Sequence, residues 1–375
     1  MLLLIFVITA LYVFIIGSFI YGFDKVSNFT ISDVTPKTKF SLIIPFRNES
    51  DHLENLITSL AHLNYPKSHF EILLIDDDSN DSSVELIETL HSKYQSLDLK
   101  VLSNERISAA PKKDAITLGI KNTKYDWIVT SDADCIVPKY WLDAYDSYIQ
   151  HYKPNFIMGP VTYTNGVTFL DRFQILELLS LQGTTIGSFG IGKPFMCNGA
   201  NLVYSKKFFF DINGFEGNTN IASGDDVFLL QKAISVNKKA VHYLKSNLVT
   251  VKTQTEPNFK LLKQQRIRWA SKTTNYNSIF GKLTGLTVVI MNGLIICLPL
   301  FFGIGLISIK SLIYILFIKI LIDFLLIYKS ARFFEQEQFL ISYIASSLFY
   351  PLFSIYVAIA SVFSNYKWKG RHYSK

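Results

Sequence analysis

Carboxylates recur in this chain where short apolar runs end. Phe70 to Ile75 runs into Asp76, Asp77, Asp78 and Ser79, and Trp127 to Ser131 runs into Asp132, Ala133, Asp134 and Cys135. Like charges gathered at neighbouring strand ends repel unless a cation or a donor-rich ligand sits among them. Asp132 and Asp134, at i and i+2 on an extended segment, can project to one side and offer hard oxygen ligands without closing a cage. That suits Mg²⁺ or Mn²⁺ held partly by carboxylate and partly by a substrate phosphate. An Asp-x-Asp pair alone is more often a solvated turn with a capping aspartate; its place after a buried strand is what points to chemistry. The run Asp76 to Asp78 can likewise be a turn capped by Ser79, or a set of carboxylates accepting from a base N–H or a ribose hydroxyl.

A third pair, Asp225 and Asp226, follows Ser223 and Gly224 and leads into the apolar helical pattern Val227, Phe228, Leu229, Leu230. Helix N-capping accounts for such residues, and a general base at a helix start is the functional alternative. Gln265, Arg268 and Trp269 stand at i, i+3 and i+4 and so share one helix face. With Lys260, Lys263, Arg266 and Lys272 nearby, a basic amphipathic helix on a membrane surface is one reading. A clamp in which Arg and Gln hold a diphosphate while Trp stacks on a sugar is the other.

The elements that must position these groups follow from periodicity. Phe40 to Pro45, Phe70 to Ile75, Val101 to Ser103 and Trp127 to Ser131 read as strands. Between them Leu53, Leu56, Ile57 and Leu60, then Leu86, Ile87 and Leu90, then Ala115, Leu118 and Gly119 keep helical spacing. This alternation predicts an α/β domain with a mostly parallel sheet covered on both faces. In such a sheet ligands bind outside the carboxyl ends of the strands, where the aspartates lie.

The 375 residues exceed one ordinary domain, and their totals say what the rest is. Lys and Arg number 37 against 30 Asp and Glu, a net +7, yet charged residues make up 18% and AVILMFWYC 49%. That excludes disorder and an ordinary soluble protein. Leu2 to Phe23 is uncharged and long enough to cross a ~30 Å hydrocarbon core. No Lys or Arg precedes it and no small-x-small site follows, so residues 1–23 read as a transmembrane anchor rather than a signal peptide. The soluble domain is expected over 37–277, a membrane region of about three apolar segments over 283–366, and a basic tail over 367–375. Lys319 and Asp323, four apart within the apolar segment Ser311 to Tyr328, are expected to pair on one helix face.

Lys25, Lys37 and Lys39 after the first helix place the soluble domain in the cytoplasm. Three further crossings would then leave Lys367, Lys369, Arg371 and Lys375 outside. The reading adopted is a cytoplasmic tail, with one apolar segment that lies along or re-enters the membrane. Cys135, Cys197 and Cys297 form no metal-ligand or redox pair and read as reduced thiols. No Lys/Arg stripe interleaved with aromatics marks a nucleic-acid surface; anionic lipid and diphosphate are the expected partners of the positive excess.

Taken in order, these residues resemble glycosyltransferase family 2, nucleotide-sugar-dependent enzymes with a GT-A fold. The resemblance runs from Ser41-Leu42-Ile43-Ile44-Pro45 with Asn48-Glu49, through Ile75-Asp76-Asp77-Asp78-Ser79, Lys112-Lys113-Asp114-Ala115 and Ser131-Asp132-Ala133-Asp134. It continues through Asn198-Gly199-Ala200-Asn201 and Gly224-Asp225-Asp226 to Gln265-Arg266-Ile267-Arg268-Trp269, the last typical of polysaccharide synthases and ceramide-glucosyltransferase-like members. The resemblance implies a GT-A, Rossmann-like nucleotide-sugar-binding domain flanked by transmembrane helices. It implies Asp76 and Asp77 on the base and ribose, with Pro45, Glu49, Lys113 and Asp132 in the same donor site. Asp134 is the implied direct metal ligand beside Asp132, and Asp226 the implied catalytic base, with Asp225 adjacent. Asn198, Gly199, Gln265, Arg268 and Trp269 fall around the diphosphate and acceptor. Asp78 stands where the family commonly has Gly, and Asp225 where Glu is common.

The expected activity is an inverting, Mg²⁺- or Mn²⁺-dependent hexosyl transfer from a nucleotide sugar, a UDP-sugar by default, to a membrane lipid or lipid-linked acceptor, forming a β-glycoside. The expected setting is a multi-pass protein of a bacterial plasma membrane. Processive polysaccharide synthesis is the alternative. A non-catalytic membrane sugar-binding scaffold is disfavoured, because no acidic or Gln-x-x-Arg-Trp residue is missing. The tail Trp368-Lys369-Gly370-Arg371 resembles short Trp/Arg tail motifs of related membrane enzymes, and aromatic-basic interfacial anchoring explains it equally well.

Overall fold

Helix α1 (Leu2–Lys25) leads into a sheet whose first strands are almost wholly apolar. The computed structural model describes residues 2–32, 34–164, 166–363, 366–369 and 371–373. Of the tail expected over 367–375, residues 370, 374 and 375, and the side chain of Trp368, lie outside what is described. Strands β1 (Phe40–Phe46), β2 (Phe70–Asp76), β3 (Leu99–Ser103) and β4 (Trp127–Thr130) pair in parallel. Strands β5 (Phe156–Met158), β7 (Leu202–Ser205) and β8 (Val241–Tyr243) complete a seven-stranded sheet in the order β3-β2-β1-β4-β7-β5-β8, with β7 antiparallel to both neighbours. Strands β6 (Val161–Tyr163) and β9 (Val251–Thr253) form a separate parallel pair beside it, and β10 (Tyr366–Trp368) and β11 (Arg371–Tyr373) an antiparallel hairpin.

The predicted α/β architecture with a mostly parallel sheet is the one the chain adopts. Its cause is visible along β1, where Leu42 and Ile44 enter one core and Ile43 the other, as the two-residue period of a strand requires. Helices α2 (Ser50–Ala61), α3 (Ser83–Lys93) and α5 (Trp141–Tyr152) cover one face, and α4 (Pro111–Lys121) and α8 (Asp225–Asn237) the other. Two further helices, α6 (Phe169–Gly190) and α9 (Phe259–Ser271), carry the domain towards the apolar helices, while α7 (Lys206–Asp211) follows β7. Helices α10 (Ile279–Gly303), α11 (Ile309–Phe334) and α12 (Tyr343–Phe363) close the chain.

Among the described residues four segments are long and apolar enough to cross a membrane: Leu2–Lys25, Ile279–Gly303, Ile309–Phe334 and Glu337–Phe363. Lys319 and Asp323 do pair, at 2.9 Å, and the Tyr12 hydroxyl donates to Asp323 at 2.6 Å. The chain meets the sheet domain on both sides of α12. Before it, Gln336 Nε2 donates to the Tyr163 carbonyl at 2.8 Å; after it, Lys369 and Arg371 reach Glu49 and Asp77.

Helix α1 is fixed to the domain through α6 by glycines. A Cβ on Gly187 would overlap the Phe19 carbonyl, and one on Gly190 would overlap the carbonyl of Gly22, so the two backbones lie in direct contact. Lys245 Nζ then donates to the Phe23 and Val26 carbonyls at 2.9 and 3.1 Å, tying down the last turn of α1. Gly187→Ala is therefore expected to lower the thermal midpoint in detergent through a loss of about 1–3 kcal/mol. At Gly17 a Cβ meets no atom, and Gly17→Ala should leave the midpoint unchanged; scanning fluorimetry of both variants checks the pair.

Candidate active site

The carboxyl ends of β1 and β2 carry the first acidic group. Asp76 Oδ1 accepts from the Ser79 amide at 2.9 Å and so closes the turn. Asp77, almost buried, accepts through Oδ1 from Asn104 Nδ2 at 2.9 Å and Arg106 Nε at 2.7 Å, and through Oδ2 from Arg371 at 2.5 Å. Asp78 has φ +63°, the left-handed region that favours glycine, which explains why glycine commonly stands there. Its exposed carboxyl is held below the usual range by hydrogen bonds from Arg106 and Arg47. Pro45, paired with Ile75, precedes the last residue of β1. Glu49, just ahead of α2, meets Lys369 at 2.7 Å. Burial pushes its carboxyl up to about 7 although Lys369 opposes that shift.

The second group lies where β4 ends. Thr130 and Ser131 hydroxyls donate to the carbonyls of Gly199 and Ala200 at 3.1 and 3.0 Å, fixing Asn198 to Asn201 beside the Asp-x-Asp turn. Asn201 anchors that segment: its Oδ1 accepts from Trp141 and Tyr145, and its Nδ2 donates to the Pro160 and Val249 carbonyls. Asp134 Oδ2 accepts from the Thr253 hydroxyl at 3.1 Å. Asp132 Oδ1 lies 2.6 Å from Lys112 Nζ, which also stands 3.3 Å from Asp225 Oδ2. Burial pushes Asp225 up, but Lys112, Lys272 and Lys113 outweigh it and hold the carboxyl below its ordinary value.

Asp225 and Asp226 open α8 after Gly224, whose φ is +83°. Asp226 Oδ2 accepts from the Gly199 amide at 3.2 Å, and Oδ1 accepts from Val227 N at 2.7 Å and lies 3.6 Å from Lys272 Nζ. The Asn198 side-chain nitrogen beside them is buried with no hydrogen-bond partner among the described residues. Such a donor in a cavity wall is available to a ligand.

Lys113, expected in the donor site, does not line the cavity that Lys112 borders. Its Nζ donates to the Asn218 and Ile221 carbonyls at 2.7 and 2.9 Å and sits over the Phe228 ring, so it braces the loop ahead of Asp225. Adjacent helical residues differ by about 100° in direction, and Lys112 takes the cavity side. Helical spacing alone does not separate the two, since Lys112 precedes core residues Ala115 and Ile116 by three and four positions and Lys113 precedes Ile116 and Ile120 by three and seven.

On α9, Gln265, Arg268 and Trp269 all face the cavity, as one helix face should. Gln265 Nε2 donates to Glu256 at 2.7 Å. Arg266, read from sequence as part of a basic face, is buried instead: it pairs with Glu177 of α6 at 2.9 Å and lies over the Trp269 ring at 4.3 Å. It thereby fixes the ring that Trp269 offers to the cavity.

The second acidic group, the Asp225–Asp226 pair and the α9 face surround one cavity of about 990 Å³. One end is walled by Lys112, Asp132, Asp134, Asn198, Asp225 and Asp226, and the other by apolar residues of the long helices, among them Ile16, Leu286 and Phe353. Carboxylates and cations thus meet a largely apolar chamber.

A mostly parallel sheet with acidic strand ends, a lysine between two of the carboxylates and an aspartate at a helix start defines a glycosyltransferase of the GT-A type. The chain belongs to glycosyl transferase family group 2, whose family model matches residues 127–361, and the model of glycosyl transferase family 2 matches residues 41–211. Among curated relatives, glycosyltransferase AglE of Haloferax volcanii is 25% identical over 195 residues, 52% of this chain and 60% of that protein. The poly-beta-1,6-N-acetyl-D-glucosamine synthase of Staphylococcus aureus is 28% identical over 178 residues, 45% of this chain and 41% of that enzyme. The chain thus spans less than two thirds of the length of these relatives. The structure of the mannosyltransferase PcManGT from Pyrobaculum calidifontis, in complex with GDP-Man and Mn²⁺, shares the fold, with a TM-score of 0.58 at 14% identity over 97% of this chain and 99% of that one.

The contrast between the two lysines is testable. Lys112→Met is expected to reduce transfer by about 10²- to 10³-fold, the range for loss of one preorganised electrostatic contact. Lys113→Met should instead lower the unfolding midpoint and change donor affinity little; steady-state kinetics and thermal scans of both variants separate the roles.

Proposed function

We propose that this glycosyltransferase moves a sugar from a nucleotide sugar, a UDP-sugar by default, to the hydroxyl of a membrane lipid or lipid-linked acceptor, with inversion. The observation that carries this reading is the cavity that joins Asp132, Asp134, Asp225 and Asp226 to the apolar helices. A donor that enters from water and an acceptor that enters from lipid have one place to meet. The positive-inside argument and the return of the chain to the domain on both sides of α12 support a cytoplasmic domain, with α12 as the apolar segment that does not fully cross.

In this mechanism Asp226 takes the proton from the acceptor hydroxyl as that oxygen attacks the anomeric carbon and the bond to the diphosphate breaks. The Gly199 amide and Lys272 orient the carboxylate, and an α-linked donor gives a β-glycoside. Lys112, Arg268 and Asn198 face the departing nucleoside diphosphate, while Trp269, backed by Arg266, offers a stacking surface to the sugar. Asp76 and Asp77 receive the base and ribose, with Glu49 beside them in the donor site. Asp132 and Asp134 fit a divalent cation: both are hard oxygen donors on the cavity wall, and among the described residues no third carboxylate, His or Cys closes a cage around them. Mg²⁺ or Mn²⁺ completed by substrate phosphate suits that set, with Asp134 the freer ligand because Lys112 engages Asp132. When bound, the metal neutralises charge on the diphosphate.

Processive synthesis is the second reading. Its support is a pair of hydroxyls on the cavity wall, Thr284 and Ser346, both buried without hydrogen-bond partners among the described residues.

Labelled UDP- and GDP-sugars incubated with Mn²⁺ and membranes holding the protein or its Asp226→Asn variant decide between them. The expected product is a discrete label in the organic phase that falls by about 10²- to 10⁴-fold in the variant while donor binding persists. Label in high-mass insoluble material identifies the processive reading. Transfer that is independent of Asp226 contradicts its role as base.

A further inference from the structure

The open cavity ends at Asp132 and Asp134; Glu49, Asp76 and Asp77 do not line it. The end of the chain reaches two of them, Glu49 and Asp77. The β10–β11 hairpin brings Arg371 to Asp77, 294 residues away in sequence, with one guanidinium nitrogen on Oδ2 at 2.5 Å and the other on the main-chain carbonyl at 3.0 Å. Lys369 Nζ meets Glu49 at 2.7 Å and the Asn48 carbonyl at 3.4 Å, while Arg47 Nε donates to the Lys369 carbonyl at 3.4 Å. Two cations of one hairpin thus occupy two carboxylates of the base side.

The bonding around Asp77 shows why this contact competes with a ligand. Oδ1 already accepts two hydrogen bonds from Asn104 and Arg106, both held within the domain. Oδ2 is the oxygen left to receive a base N–H or ribose hydroxyl, and Arg371 takes it. A charge-assisted bond of this kind is stronger than a neutral one, so an arriving nucleotide must displace the arginine before it can use that oxygen. Arg47 and Arg106 remain to hold Asp77 and Asp78 in place when the hairpin leaves.

We propose that the C-terminal hairpin is an intramolecular competitor of the nucleotide: docking of Arg371 and Lys369 on Asp77 and Glu49 and binding of the donor's base and ribose exclude one another. The proposal rests on the reading that Asp77 receives the nucleotide. The resting enzyme is closed at the base side and open at the acceptor side, and the donor opens it.

The test measures equilibrium binding of UDP and of GDP, with Mn²⁺, to the full-length protein in detergent. Wild type is compared with Arg371→Ala/Lys369→Ala and with a chain lacking residues 364–375. Removing a competing closed state raises apparent affinity in proportion to its population, and the expected gain is about tenfold in both altered forms. Unchanged or weaker binding overturns the proposal, the latter making the hairpin part of the binding site. Asp77→Asn in the Arg371→Ala/Lys369→Ala protein tests the underlying reading separately. If that substitution lowers affinity while the hairpin changes do nothing, the competition alone fails; if it leaves affinity intact, the assignment of Asp77 fails and the proposal with it.

Discussion

Glu49, Asp76, Asp77, Asp132, Asp134, Asp225 and Asp226 converge at one edge of a sheet whose interior is hydrocarbon, and their mutual repulsion grows as water is excluded. Each part of the domain that meets this edge brings something to offset it. Helix α4 brings Lys112 to lie between Asp132 and Asp225. The residue after α9 is Lys272, which faces Asp226. The loop after β3 brings Arg106, and the end of the chain brings Lys369 and Arg371. Such a site is held by paired charges whose partners can be exchanged for those of a ligand, and a nucleotide diphosphate with its cation supplies both signs.

The same edge is joined to the apolar helices by short-range packing. Glycines on α1 and α6 let the two backbones touch, and the buried Arg266–Glu177 pair binds α9 to α6. A buried ion pair of this kind costs desolvation and contributes little net stability; its effect is to fix where Trp269 stands. Phe173 of α6, Phe259 of α9 and Phe353 of α12 cluster beneath, so that a chamber of lipid character abuts the acidic edge.

Much of this was legible in the sequence because it is local. A strand that ends in Asp-Asp-Asp or Asp-Ala-Asp places its carboxylates by the register of that strand, and the sheet follows from two alternating periods. The Gln265, Arg268 and Trp269 face follows from helical spacing. Which of the two adjacent lysines faces the cavity was not legible, because the Asn218 and Ile221 carbonyls that receive Lys113 lie more than a hundred residues away. The docking of Arg371 on Asp77 depends on the path of three long helices between them and leaves no local trace. Nor does the role of Arg266, whose partner Glu177 lies on a different helix.

In the proposed mechanism acceptor and donor meet in one cavity entered from two phases. Ser347 lines its apolar half, remote in sequence from every residue placed at the diphosphate, and Ser347→Trp fills that half. The measurement follows labelled donor in membranes of this variant, separating sugar released to water from sugar found in extracted lipid. The account predicts that donor binding and slow hydrolysis persist while transfer to lipid falls by about 10²-fold, as misplacement of a reactant does. Undiminished transfer to lipid in a correctly folded variant would contradict it.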